Sequence, residues 1–285
     1  MKNIGFIGVG YMGYGIAKNI LKHGHKLFVV ANKNRKPIEK IVSEGAKELK
    51  SIKEFSNKNL DALFMCVTNT LIAKSISEKI SKILDTKTII IDITTHNKSG
   101  SIETEKIFKS NNINYIECPV MGGPVQAEEG VLGGIVGGSK SNFKLAEPYL
   151  KIFCKDYFYF GPVGMGAKSK LLNNFLSLGN AALVNHLAKT ATELGLDLKK
   201  VFDVAKLGSG NSAALIRVFD NLLKGDFTGF KFTTTNSVKD LTYIQDLLKD
   251  FPEAEKVAEV NKNYFQKAVD DGYGENFISK LIYKK

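Results

Sequence analysis

Short runs of β-branched and aromatic residues alternate with amphipathic stretches through the first half of the chain. The runs NIGFIG, KLFVVA, ALFMCV, TIIIDI, NYIEC and GGIVG, with one more around DYFYFG, predict strands. Between them, stretches such as Met12 to His23, Leu71 to Leu84 and Ser99 to Ser110 predict amphipathic helices. Such alternation is the signature of βαβ units on a parallel sheet. From about Gly164 the strands stop and the pattern turns helical. It opens with a long apolar segment, Lys168 to Leu194, in which Leu171, Phe175, Leu178 and Ala182 recur at three- and four-residue steps. Glycines and Pro162 between Gly161 and Gly166 punctuate the change.

The first strand runs straight into Gly8, Gly10 and Gly13, a GxGxxG turn at the mouth of the first predicted helix. In that context the first glycine allows a tight turn, the second lets a pyrophosphate approach the backbone, and the third lets helix and strand pack closely. Free N–H groups at the helix start then hold the phosphate charge. Gly8, Gly10, Tyr11, Met12 and Gly13 are accordingly expected to bind a dinucleotide. The expected fold class is α/β, with an N-terminal Rossmann-type doubly wound sheet over residues 1–162. An all-helical domain for substrate binding and dimerisation is expected over residues 163–285.

The second strand ends in Ala31, Asn32, Lys33, Asn34 and Arg35, with no carboxylate. A free ribose 2′-hydroxyl is usually met there by an acid, whereas a 2′-phosphate needs donors and positive charge. Asn32, Lys33 and Arg35 therefore favour NADP over NAD, although the two cations also suit an ordinary solvated loop.

At 285 residues, 44% hydrophobic and 24% charged, the composition excludes a disordered chain. The net charge of +11 changes the picture little. The lysines are scattered beside acids and form no basic block with interleaved aromatics, which argues against a nucleic-acid partner and leaves an anionic cofactor or substrate. Three cysteines, Cys66, Cys118 and Cys154, with no CxxC pair, point to reduced thiols in a cytoplasmic setting and against a zinc site. The longest uncharged stretch near mid-chain, LLNNFLSLGNAALVNHLA, holds four asparagines and a histidine, so it reads as a buried helix and not a membrane span.

Two further segments carry candidate chemistry. ECPVMGGPVQAEEGVLGGIVGG, Glu117 to Gly138, is too glycine-rich to read as a helix, and Gly122 and Gly123 expose backbone N–H groups that could grip a small carboxylate or simply form a turn. GPVGMGAKSKLLNNFL sets Lys170, Asn173 and Asn174 at the mouth of an apolar helix. Lys170 and Asn174 share one helical face, a turn apart.

These segments resemble the β-hydroxyacid dehydrogenase family, which includes 3-hydroxyisobutyrate dehydrogenase, tartronate semialdehyde reductase and the glyoxylate/succinic semialdehyde reductases. GFIGVGYMGYGIAKNIL is similar to its cofactor loop, CPVMGGPVQAEEGVLGGIVGG to its substrate loop, GPVGMGAKSKLLNN to its catalytic motif and SVKDL to its C-terminal cofactor-proximal motif. The resemblance covers nearly the whole chain. It implies a small carboxylate-bearing substrate, NADP or NAD as cofactor, no metal, and Lys170 as general acid/base beside Asn174. It also implies a substrate loop at Met121, Gly122 and Gly123, with Thr95 near the nicotinamide ribose, Val67 and Thr68 on the adenosine side, and Lys239 reaching the cofactor. Asp240 would orient Lys239 or cap local backbone.

One departure stands out: Met121 occupies the place where the family most often has serine, and it cannot donate a hydrogen bond. The carboxylate would then rely on Gly122, Gly123 and Lys170. Phe230, Phe232 and Gly208 to Ala213 are further candidates for the pocket wall. An imine reductase on the same fold is one alternative, although such enzymes generally replace the lysine. A non-catalytic NADP-binding protein is another. Lys170, Asn173 and Asn174 are expected to face a closed, dry cleft between the two domains, and the apolar helical half suggests a homodimer or homotetramer.

Overall fold

In a computed structural model, which describes residues 1–32 and 34–283, the chain divides into two compact units, Met1–Lys170 and Leu171–Lys285. The first unit is built on a six-stranded parallel sheet of order β3-β2-β1-β4-β5-β6. Its elements are β1 (Asn3–Ile7), α1 (Tyr11–Lys22), β2 (Lys26–Val30), α2 (Lys36–Ser43), β3 (Lys47–Leu49), β4 (Ala62–Met65), α3 (Thr70–Ile80), β5 (Ile89–Asp92), α4 (Gly100–Lys109) and β6 (Asn114–Glu117). This is the Rossmann strand order. The chain runs outward from β1 in one direction to β3, then returns to place β4 on the other side of β1, so the crevice of the fold opens at the ends of β1 and β4.

The strands are nearly continuous apolar runs because both faces of the sheet are covered. Ile4, Phe6, Ala62, Phe64, Ile89 and Ile91 pack into one core. Ile7, Phe28, Leu63, Ile90 and Tyr115 pack into the other. Among the described residues no helix is long and apolar enough to cross a membrane.

The predicted strands GGIVG and DYFYFG exist, but they leave the main sheet. β7 (Val120–Met121), β8 (Leu132–Val136) and β9 (Cys154–Tyr159) form a separate three-stranded sheet, with β7 antiparallel and β9 parallel to β8. The segment read as too glycine-rich for a helix contains one, α5 (Pro124–Glu129). Pro124 presets its first turn, and Gln126 reaches back to accept from the Gly123 N–H at 2.9 Å. α6 (Lys140–Leu150) completes the unit.

α7 (Met165–Glu193) is the long apolar helix expected from Lys168 to Leu194. α8 (Leu198–Leu207), α9 (Ala213–Leu222), α10 (Thr234–Leu248) and α11 (Pro252–Ala268) follow, the first three capped by the side chains of Asp197, Ser212 and Thr233. Leu171, Leu178, Leu241, Ile244 and Phe265 form the core of the second unit. Phe230 and Phe232, expected as pocket wall, pack against that core.

Candidate active site

At the end of β1 the three glycines divide their tasks. A Cβ on Gly8 would fall 2.1 Å from the Cys66 carbonyl oxygen, and Gly8 has φ +99°; a Cβ on Gly13 would fall 2.1 Å from the Gly8 carbonyl oxygen. Both are required by the protein's own packing. Gly10 has nothing within 4 Å of such a Cβ, so its missing side chain leaves open space and not a filled contact. Gly10 is also the N-cap of α1, and that helix has no acidic residue in its first turn. Open space at a helix start that receives no side-chain cap fits a pyrophosphate. Tyr11 stands exposed at this helix start and Met12 is half-buried.

Val67 and Thr68 follow β4 across the crevice, the first half-buried and the second exposed, and the Val67 N–H donates to Thr94 Oγ1 at 3.2 Å. Thr95 lies half-buried just past β5. Asn32 is exposed beyond β2, and Lys33 lies outside the described residues. Arg35 is already engaged: its guanidinium binds the Glu48 carboxylate of β3 in two hydrogen bonds, 2.7 and 3.1 Å, with Glu39 3.6 Å away. Glu48 raises the affinity of Arg35 for its proton, and a phosphate would have to compete with that carboxylate.

The lysine helix begins against the end of the sheet. Lys170, in the second turn of α7, donates from Nζ to the Val120 carbonyl at 2.8 Å and to the Met121 sulfur at 3.4 Å. The structure therefore brings Lys170 onto β7, immediately before Gly122 and Gly123. Because the Gly123 N–H already serves Gln126, the amide of Gly122 is the one left to the role expected of the pair.

Two buried carboxylates escaped the sequence reading, side by side in register at the ends of β5 and β6. Asp92 accepts from the Thr94 N–H at 2.9 Å and from Tyr115 Oη at 2.9 Å, and lies 2.8 Å from His96 Nε2. Glu117 accepts at Oε1 from the N–H groups of Gly164 and Gly166, at 2.7 and 2.8 Å, just where α7 starts. Burial pushes the Glu117 carboxyl above its ordinary 4.5, while Ser101 and the backbone N–H groups of Gly164, Ala167 and Gly166 pull it back. An acid closing each of the runs TIIIDI and NYIEC was the available signal, since an acid in an otherwise apolar buried strand needs partners.

In the second unit Asn174 donates from Nδ2 to Asp240 Oδ2 at 2.7 Å, and Lys239 Nζ lies 2.9 Å from Asp240 Oδ1. Asp240 thus holds both Asn174 and Lys239, a wider role than orienting Lys239 alone.

Residues 3–161 match the family described as the NAD binding domain of 6-phosphogluconate dehydrogenase, and residues 164–283 match that described as NAD-binding of NADP-dependent 3-hydroxyisobutyrate dehydrogenase. The chain belongs to the 3-hydroxyisobutyrate dehydrogenase family. It is an NAD(P)-dependent hydroxyacid dehydrogenase of that family. One relative is 2-(hydroxymethyl)glutarate dehydrogenase of Eubacterium barkeri, 27% identical over 79% of this chain and 76% of that one. A solved 3-hydroxyisobutyrate dehydrogenase from Salmonella typhimurium shares the fold at TM-score 0.89 and 24% identity, over 99% of both chains. A protein solved in complex with NADP+ and 2-OPP is similar at TM-score 0.87 and 25% identity, over 98% of both chains.

Proposed function

We propose that this 3-hydroxyisobutyrate dehydrogenase family member is an NADP(H)-linked enzyme that interconverts a small hydroxy acid and its aldehyde or keto acid, with Lys170 as general acid/base. Hydroxyisobutyrate, succinic semialdehyde and glyoxylate define the substrate type. The observation that carries the reading is the contact of the Lys170 ammonium with the Val120 carbonyl, which sets a proton donor on the strand that leads into Gly122 and Gly123.

A nicotinamide dinucleotide, held by its pyrophosphate over Gly10 at the start of α1, would supply hydride-transfer chemistry to the substrate. Lys170 gives its proton to the carbonyl oxygen as negative charge develops there, and in the reverse direction the neutral amine takes the hydroxyl proton. The Gly122 N–H and the lysine itself offer donors to the substrate carboxylate. Met121 adds a thioether in place of a hydroxyl donor, so the pocket beside Lys170 favours a substrate with an apolar group at that point. Asn174, held by Asp240 through its amide nitrogen, presents its carbonyl oxygen as an acceptor.

The NADP preference is supported by the absence of an acid after β2 and by the NADP+ complex of the similar protein. Exposed leucines on α7, among them Leu176 and Leu183, support a homo-oligomer. A panel of small semialdehydes and glyoxylate, with NADPH and NADH consumption followed optically, tests the proposal. Turnover of a semialdehyde with NADPH is the expected result, and inertness toward the whole panel would remove it.

A further inference from the structure

We infer that Glu117 is the positioning residue for Lys170: its buried carboxylate, seated under the first turn of α7, fixes where that helix starts and hence where the lysine comes to rest. The inference rests on the reading of Lys170 as proton donor.

Three observations converge on it. Oε1 receives two backbone N–H groups from the helix start, Gly164 at 2.7 Å and Gly166 at 2.8 Å. These are donors that no helix can satisfy internally, and a carboxylate is the group they bind best. The carboxylate is also confined. A Cβ on Gly137 would fall 2.2 Å from the same oxygen and one on Gly166 3.0 Å from it, so glycine on both sides makes the seat. The Glu117 backbone in turn exchanges two hydrogen bonds of 3.0 Å with Gly137, which pins it to the strand leading out of β8.

The third observation closes a ring. Lys170 lies four residues beyond Gly166 on the same helix, and its Nζ returns to the carbonyl of Val120, three residues beyond Glu117. The path from the Glu117 carboxylate through one turn of α7 to the ammonium, and back along the chain from Val120 to Glu117, is held at both ends by hydrogen bonds. Shifting the helix start would carry the lysine off β7. Glu117 touches no reacting atom in this arrangement and acts through Lys170.

The test uses the full-length protein with Glu117→Gln, Glu117→Ala and Gly166→Ala. The last leaves the carboxylate in place but sets a methyl 3.0 Å from Oε1, as well as 3.0 Å from the Ile135 carbonyl oxygen and 3.1 Å from the Gly137 nitrogen, while alanine favours the helix itself. Each variant is measured for kcat and for the KM of cofactor and substrate, and for the NMR signal of its ¹³C-methylated lysines, with that of Lys170 assigned by Lys170→Arg. We expect kcat to fall about 10- to 100-fold in Glu117→Ala and Gly166→Ala, the scale set by a displacement near 1 Å, with the cofactor KM within about twofold. Glu117→Gln, which keeps an acceptor, should recover part of the loss. The Lys170 signal should shift in step.

Folded variants with native kcat and an unmoved Lys170 signal would overturn the inference. Should Glu117→Ala fail to fold, Glu117→Gln decides, with Gly166→Ala beside it. If wild type turns over no substrate, or Lys170→Ala stays active, the proton-donor reading fails. The placement by Glu117 is then judged by the Lys170 signal, which supports it by shifting and removes it by staying still.

Discussion

Asn174 on α7 and Asp240 on α10, 66 residues apart, are joined by a 2.7 Å hydrogen bond between two buried side chains. A carboxylate only accepts, so the bond decides which way the amide faces. Replacing Asp240 by alanine takes the carboxylate away from the buried Asn174 amide and from Lys239, whose ammonium also stands over the Tyr243 ring. The expected outcome is a loss of about 1–3 kcal/mol of stability, read by denaturant unfolding, together with a lower kcat.

Lys170→Ala removes the proposed proton donor and nothing in the nucleotide cradle. Turnover should drop by about 10²- to 10⁴-fold while the dissociation constant for NADPH, measured by fluorescence titration, stays close to that of wild type. A variant with near-native rate would show that the proton comes from elsewhere.

The glycines after β1 make a contrast that separates binding from folding. Gly13→Ala drives a methyl group into the Gly8 carbonyl and should lower thermal stability sharply. Gly10→Ala meets no protein atom and has φ −104°, which alanine accepts, so it should melt normally yet bind the dinucleotide about tenfold or more weakly. Equal cofactor affinity in Gly10→Ala and wild type would place the pyrophosphate elsewhere.

Cofactor preference should depend on a pair that neither residue reveals alone. Glu48→Gln frees Arg35 from its bidentate partner and should raise the preference for NADPH over NADH; Arg35→Ala should not raise it. Ratios of kcat/KM for the two cofactors provide the readout.

The raised carboxyl of Glu117 has a signed consequence for stability. The folded chain holds that proton more tightly than the unfolded one, so the contribution of Glu117 is fully present below the ordinary 4.5 and declines as pH rises from there through the higher folded value. Subtracting the pH profile of Glu117→Gln from that of wild type should expose this downward slope just above pH 4.5.

These cases also show what the sequence could and could not convey. The two covered faces of the sheet were legible because runs such as Ile89 to Ile91 have no solvent side, and the cradle was legible because Gly8, Gly10 and Gly13 follow a strand directly. α5 was hidden because the local cues that build it, Pro124 and the back-reach of Gln126, sit among glycines that dominate any composition count. Glu117 and Asp92 read as part of apolar strands, and Arg35 read as a ready phosphate ligand. Their partners come from other elements, and a linear pattern holds no record of which strand or helix will arrive beside them.

One small joint in the first unit reaches further than its size. Gly15 on α1 lacks the Cβ that would stand 2.5 Å from the backbone of Ala127, and Asn19 one turn later donates from Nδ2 to the carbonyls of Ala127 and Glu128 at 2.8 and 3.2 Å. The helix that opens the nucleotide cradle is thereby bolted to the short helix that follows Gly122 and Gly123. Whatever docks at those glycines is held at a set distance from whatever sits at the start of α1, and a change in substrate size has to be accommodated by side chains, with the frame itself left unmoved.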